Sequence, residues 1–213
     1  MTGVNKKSKR LIKSPFLRGI LFLITCLAII ILINFGPAEH SLGTHIRVVY
    51  LHGAWVWVSL AGFLLAAIFG LVGLITQRIS FHHWSKAFGL TGLIFWITYI
   101  PLSLWAMQSN WNGLYLSEPR WKLALVFTIT GILLQAGLYL ANKPNLTSAF
   151  NIVYFTALVA AIRGTENVMH PASPILSSDA WHIQVFFFGL VLLIFMAAWQ
   201  VARWWYLRES DRI

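Results

Sequence analysis

The chain has 213 residues, of which 58% are hydrophobic and only 10% are charged, whereas about 25% are charged in a typical soluble domain. This composition excludes a water-soluble globular enzyme and a disordered protein. The formal net charge is +10. In so apolar a chain, an excess of basic residues reports orientation in a membrane rather than binding to nucleic acid. We therefore expect the lipid bilayer, and no nucleic acid, as a partner.

Six apolar blocks are long enough to cross a bilayer, since a transmembrane helix needs about 20 such residues. The sequence therefore predicts an all-α integral membrane protein, with a six-helix bundle between residues 19 and 206. Residues 1–18 are predicted to be a basic cytoplasmic tail that lies on anionic lipid, and residues 207–213 a second cytoplasmic tail. The first block is interpreted as a retained helix, because it is long for a signal peptide and a small-residue cleavage site does not follow it. The predicted spans are residues 19–35, 48–76, 87–107, 123–141, 146–162 and 183–202.

The basic residues predict the orientation of the bundle. With a cytoplasmic N-terminus, 12 of the 16 Lys and Arg residues fall in inner segments. The positive-inside rule then places both termini in the cytoplasm. We expect the protein in the plasma (inner) membrane. Five of the seven histidines fall on the outer side, so we expect a functional site on the periplasmic face. His82 and His83 lie in a predicted inner loop and are interpreted as an exposed surface pair.

His52 is the most informative single residue. It lies in the segment "RVVYLHGAW", one turn into the outer end of the second span. An imidazole at that depth is partly removed from water, so it needs a partner or a ligand. Trp55 shares its helix face, and an imidazole beside an indole suits a flat apolar macrocycle. The alternative is an interfacial histidine bonded to a loop carbonyl.

Two further outer segments hold candidate residues. His170 lies in "ENVMHPAS", where Pro171 restricts the backbone. It is either a solvated loop histidine or a second imidazole that closes on a haem iron from the side opposite His52. The loop of residues 110–121 is rich in aromatic and charged side chains. It is either an interfacial aromatic belt with a capping acid and an anchoring arginine, or a platform for a planar ligand with an arginine for its carboxylates.

These segments and their order resemble the CcmC branch of the cytochrome c assembly family, which comprises haem-handling membrane proteins. The segment "FGPAEHSLGTHIRVVYLHGAW" is similar to the family's first outer loop and second helix, and "ENVMHPAS" is similar to its second histidine segment. The family has six helices, a tryptophan-rich outer loop between helices three and four, and two histidines that ligate haem. The resemblance covers about residues 35–204.

The resemblance implies transient binding of haem b by two histidines at the outer face. The tryptophan-rich motif is degenerate here, because Leu114 and Ser117 stand where tryptophans are expected, and Tyr115 and Glu118 replace a tryptophan and an aspartate. The implied metal ligands are His52 and His170. The residues implied around the ring and its propionates are Arg47, Trp55, Trp111, Tyr115, Glu118, Arg120 and Trp121.

The function expected from this resemblance is haem delivery in cytochrome c maturation. The protein would pass haem to a chaperone or apocytochrome c together with other maturation subunits of the membrane. It would not be an enzyme on its own, because covalent haem attachment needs those partners. A second hypothesis is a structural or assembly subunit that no longer handles haem, which the degenerate loop favours. A third is a permanent b-type cytochrome, ranked last because the sequence has no histidine in the middle of a span.

Overall fold

The computed structural model describes residues 15–165, 175 and 179–210. In that part of the chain, six helices are long and apolar enough to cross a membrane, which confirms the predicted all-α membrane architecture. The cytoplasmic location of the termini stays a prediction. The helices are α1 (Pro15–Asn34), α2 (Ile46–Thr76), α3 (Ile79–Trp111), α4 (Pro119–Ala141), α5 (Pro144–Gly164) and α6 (Trp181–Ser210).

Helix α3 begins well before the apolar block that predicted it. Helix α2 ends at Gln77, whose backbone is left-handed and whose N–H donates to the Gly73 carbonyl, and α3 starts two residues later at Ile79. His82 and His83 therefore lie inside α3 and are only 3% and 7% exposed. Their interpretation as an exposed surface pair is wrong, because the short turn packs the first two turns of α3 against neighbouring helices.

Helices α2 and α3 form the central antiparallel pair and make the most extensive contact in the bundle. Their backbones approach closely at Gly62, where an added Cβ would lie 2.9 Å from the Cα of Gly92. The Ser59 hydroxyl donates to the Gly92 carbonyl at 2.8 Å, and the Ser85 hydroxyl donates to the Ala66 carbonyl at 2.8 Å. Small residues and interhelical hydrogen bonds are what stabilise helix pairs in a membrane, where apolar burial adds little.

The other helices surround this pair. Helix α5 packs on α2 and α3, α6 packs on α1, α2 and α3, and α4 packs on α3 and α5. Helices α1 and α4 keep much of their apolar surface exposed, for example at Leu23 (67%) and Leu140 (82%). Such surfaces are typical of helices that face lipid.

Because successive helices run in opposite directions, their connections gather at two ends of the bundle. We call one the His52 end; it contains residues 35–45 and 112–118 and the start of α6. We call the other the His82 end; it contains the turns at residues 77–78 and 142–143 and the end of α6. The connections described at the His82 end have only two residues, whereas those at the His52 end are longer.

Candidate functional site

His52 lies on α2 at the His52 end and packs against α3. Its ring centroid is 5.4 Å from that of Tyr99, and the two rings are tilted by 42°. Trp55, one turn deeper, packs on Phe95 with a centroid distance of 5.0 Å. Tyr99 and Phe95 are one turn apart on α3, so the antiparallel register places one aromatic ring of α3 beside each of the two candidate side chains.

Trp55 has a structural role in this register. Its indole N–H donates to the Thr98 hydroxyl at 2.8 Å, and its ring lies between two parts of the hydrophobic core. The expected wall of His52 and Trp55 is therefore built mainly from His52 and Tyr99, while Trp55 ties α2 to α3 beneath them.

Arg120 approaches the same place from α4. Ala124, one turn after Arg120 on α4, packs in the same core cluster as Tyr99, so the first turns of α4 lie beside this part of α3. The Nε of Arg120 and the indole Nε1 of Trp121 are buried and have no hydrogen-bond partner among the described residues. Buried donors of this kind are costly unless something else accepts from them. Two adjacent residues thus offer donors suited to a carboxylate.

Glu118 occupies the N-cap position of α4, yet its side chain makes no capping hydrogen bond. The residue is 9% exposed, and its Oε2 is buried with no partner among the described residues. The interpretation of Glu118 as a capping acid is therefore wrong. The helix begins instead with Pro119 at its first position, where the missing N–H leaves one donor fewer to satisfy.

The loop between α3 and α4 also presents apolar side chains. Trp111 is half-buried at the end of α3, and the Tyr115 hydroxyl donates to its carbonyl at 3.4 Å. Leu114, Tyr115 and Leu116 are 52%, 41% and 48% exposed. The loop therefore keeps an exposed apolar surface beside Arg120 and Trp121, although leucines supply part of it.

Arg47 organises the first loop of the same end. Its Nε donates to the Gly36 carbonyl at 2.9 Å, and the Tyr50 hydroxyl donates to the Pro37 carbonyl at 3.2 Å. Glu39 folds the loop from within, because its carboxylate accepts from the Ser41 hydroxyl and from the N–H groups of Ser41 and Leu42. These hydrogen bonds, above all the one from the Ser41 hydroxyl, lower the pKa of Glu39 below its ordinary value of 4.5.

His170 lies outside the described residues, so its expected place opposite His52 stays a prediction. The described part of the chain contains no group of three or more His, Cys, Asp or Glu side chains arranged to hold a metal ion. A pair of axial histidines on haem iron needs no such group. The structure thus places His52 on Tyr99, beside the first turns of α4 where Arg120 lies. It hydrogen-bonds Trp55 to α3 and Arg47 to the first loop.

Tyr99 is the site residue that the sequence analysis missed. It is 6% exposed and contacts both His52 and Trp96. The signal that could have found it is the antiparallel register of α2 and α3, since Ser59 opposite Gly92 places His52 opposite Tyr99. That register depends on close backbone contact, which the apolar pattern of a transmembrane helix does not reveal.

Comparison with known proteins gives one relationship. The chain is 25% identical, over 150 residues, to a ccmC-like mitochondrial protein of cytochrome c biosynthesis from Marchantia polymorpha. The match covers 70% of this chain and 59% of the relative, so it spans less than two thirds of that protein's length. No protein-family model matches the chain, and no solved structure matches it. The relationship supports, weakly, the resemblance to CcmC that the histidine segments indicate.

Proposed function

We propose that this membrane protein takes part in cytochrome c maturation by holding haem at the His52 end and releasing it to an acceptor. The observation that carries the proposal is that His52 of α2 packs on Tyr99 of α3, in the same core cluster as the first turns of α4, where Arg120 lies. The similarity to a ccmC-like protein of cytochrome c biosynthesis supports the same process. The haem is cargo rather than a resident cofactor.

Each residue of the site has a part in this proposal. The neutral imidazole of His52 is one axial ligand of the iron, and His170 supplies the other. The Tyr99 ring holds the His52 ring by packing against it. Arg120 and Trp121 have buried donor atoms without partners among the described residues, and these donate to the propionates. Such donors recover hydrogen bonds when haem binds and lose them when it leaves.

Release follows from the same arrangement. The exposed apolar surface of Leu114, Tyr115 and Leu116 covers only part of a porphyrin, so much of the binding energy comes from the two iron–imidazole bonds. An acceptor histidine can replace one of these bonds at a time. The site is also at an end of the bundle, where an apocytochrome or a chaperone domain outside the membrane can reach it.

A second function is favoured by the same exposed surface. Leu114 and Leu116 stand on the loop that carries tryptophans in CcmC proteins, and both are about half exposed. Exposed apolar side chains on one loop are also a contact surface for another membrane subunit. The chain would then be an assembly subunit that no longer handles haem.

Haem titration of the detergent-purified full chain separates these functions. Haemin is added to the wild type and to His52→Ala and His170→Ala, and the Soret band is followed. We expect the wild type to bind one haem and each variant to bind it at least about tenfold more weakly, as expected when a metal ligand or its support is lost. His182→Ala is the matched control, since His182 is an exposed histidine at the same end.

The outcomes are distinct. A folded wild type that takes up no haem overturns the proposal and favours the assembly subunit. Equal weakening by His182→Ala would mean that no particular histidine is the ligand. If neither apocytochrome nor apomyoglobin can extract the haem, the result contradicts a delivery role and favours a permanent b-type cytochrome.

A further inference from the structure

A second polar site lies at the His82 end, far from the proposed haem site. His82 is 3% exposed, and its Nδ1 lies 2.7 Å from the Ser148 hydroxyl of α5. An added Cβ at Gly73 would touch the same edge of the ring, at 2.9 Å from Nδ1. With that edge engaged by α2 and α5, the Nε2 on the other edge is buried and has no partner among the described residues.

His82 lines a small cavity at the start of α5. The cavity has a volume of about 20 Å³, which is room for about one water molecule. The bond between Nδ1 and Ser148 runs in either direction, depending on which ring nitrogen carries the proton. The other lining residues are His83, Lys86, Leu138, Asn142, Lys143, Pro144, Thr147 and Glu209.

The charges around the cavity favour an anion. Lys86 pairs with Glu209 at 2.8 Å, which leaves Lys143 as an exposed cation that makes no ion pair with any residue the structure describes. Lys143 immediately precedes α5, a helix of 21 residues. The first N–H groups of a helix are unsatisfied and carry positive partial charge. A buried imidazole, an exposed cation and a helix start therefore line one mouth.

An apolar groove continues from the same mouth. It shares Asn142, Lys143 and Pro144 with the cavity and runs along Leu74 of α2 and Leu146 and Ala149 of α5. Leu74 and Leu146 belong to helices that are long and apolar enough to cross a membrane, so the groove opens where acyl chains lie. A free phosphate ion would use the mouth but not the groove.

We propose that the His82 end binds one anionic phospholipid, with its phosphate beside Lys143 at the start of α5 and one acyl chain in the groove between α2 and α5. The basic mouth selects an anionic headgroup over a zwitterionic one, because each cation near a membrane surface adds attraction for negative lipid. The polar and apolar halves of the site match the two halves of a lipid molecule.

Native mass spectrometry of the full chain tests this proposal. The protein is released from detergent in the presence of phosphatidylglycerol, phosphatidylcholine or both. We expect the wild type to retain one phosphatidylglycerol in preference to phosphatidylcholine. Lys143→Gln should bind phosphatidylglycerol about fivefold more weakly. Lys122→Gln, which removes an exposed cation at the other end of the bundle, should bind it as the wild type does.

Two further experiments test whether the anion is a lipid or free phosphate, and whether the groove holds an acyl chain. Inorganic phosphate at millimolar concentration should not displace phosphatidylglycerol, because it cannot fill the groove. Leu146→Glu puts a carboxylate in the groove and should abolish the preference. Leu146 is 37% exposed, and an acidic residue in the first turn suits the helix. If Leu146→Glu fails to fold, Lys143→Gln still decides the question.

The proposal is overturned by any of three results. These are equal retention of the two lipids by the wild type, equal weakening by Lys143→Gln and Lys122→Gln, or full displacement of the lipid by inorganic phosphate. Haem titration of Lys143→Gln should be unchanged, which separates this site from the proposed function at the His52 end.

Discussion

Two groups of buried polar side chains, one near each end of the bundle, differ in where their hydrogen-bond partners come from. At the His82 end, Asn151 donates to Ser85 at 3.1 Å and accepts from Gln135 at 2.9 Å, and His82 is bonded to Ser148. At the His52 end, buried atoms of Glu118, Arg120 and Trp121 have no partner among the described residues.

The difference distinguishes polar groups that stabilise the fold from polar groups that are available to a ligand. A polar group inside a membrane protein is costly unless it is hydrogen-bonded. Where the chain supplies the partners, as around Asn151, the group ties helices together. Where it does not, as around Arg120, the cost is recovered only when a ligand arrives. We therefore expect substitutions in the Asn151 network to change the stability of the fold, and substitutions at Arg120 and Trp121 to change haem affinity.

The largest expected effect on stability is at Gly70. An added Cβ there would lie 2.9 Å from the Ser148 carbonyl and 3.0 Å from the Ser85 hydroxyl. Gly70→Ala should therefore force α5 away from α2 and lower the free energy of unfolding by about 1–3 kcal/mol. The measurement is reversible unfolding in mixed micelles.

Gly137→Ala is the control for this substitution. A Cβ at Gly137 meets nothing within 4 Å, and alanine is the better helix former. Its stability should be unchanged or slightly higher. Equal destabilisation by the two variants would show that the close packing of α2 and α5 does not hold the His82 end together.

Asn151→Leu should cost about 1–2 kcal/mol. The substitution removes the donor to Ser85, whose hydroxyl keeps its bond to the Ala66 carbonyl, and it removes the acceptor of the half-buried Gln135 amide. Thermal unfolding in detergent measures the loss, and haem affinity should stay at the wild-type value. A variant as stable as the wild type would mean that this network does not stabilise the bundle.

Two tryptophans, Trp96 and Trp121, allow a direct test of which buried polar groups stabilise the fold and which bind the ligand. The Trp96 indole donates to the Ala124 carbonyl at 3.2 Å and is 2% exposed, whereas the Trp121 indole N–H has no partner among the described residues. Trp96→Phe should be about 1 kcal/mol less stable than Trp121→Phe. Trp121→Phe should be the one that weakens haem binding. The reverse order in both measurements would contradict the assignment of Trp121 to the site.

The sequence predicted the six helices because each apolar block is long and nearly free of charge. It indicated His52 as a candidate haem ligand because an imidazole at that depth needs a partner, and that role stays a prediction. It could not predict that His82 and His83 are buried. Their burial depends on a two-residue turn and on small residues of α2, such as Gly73, that face them. Tyr99 was missed for the same reason, since the contact between two helices is set by backbone packing that apolar patterning does not record.

The smallest expected effect is a pH dependence in the first loop of the His52 end. Hydrogen bonds from Ser41 and Leu42 hold the pKa of Glu39 below 4.5. Because the folded pKa is lower than the unfolded one, the carboxylate stabilises the loop above about pH 4.5, and this contribution is lost as the pH falls through the lower folded value.

Ser41→Ala removes the largest cause of that shift, so the pKa of Glu39 should rise toward its ordinary value. The measurement is a ¹³C NMR titration of glutamate carboxyl groups in detergent, with the Glu39 signal assigned from Glu39→Gln. An unchanged titration would mean that the Ser41 hydroxyl does not hold the carboxylate.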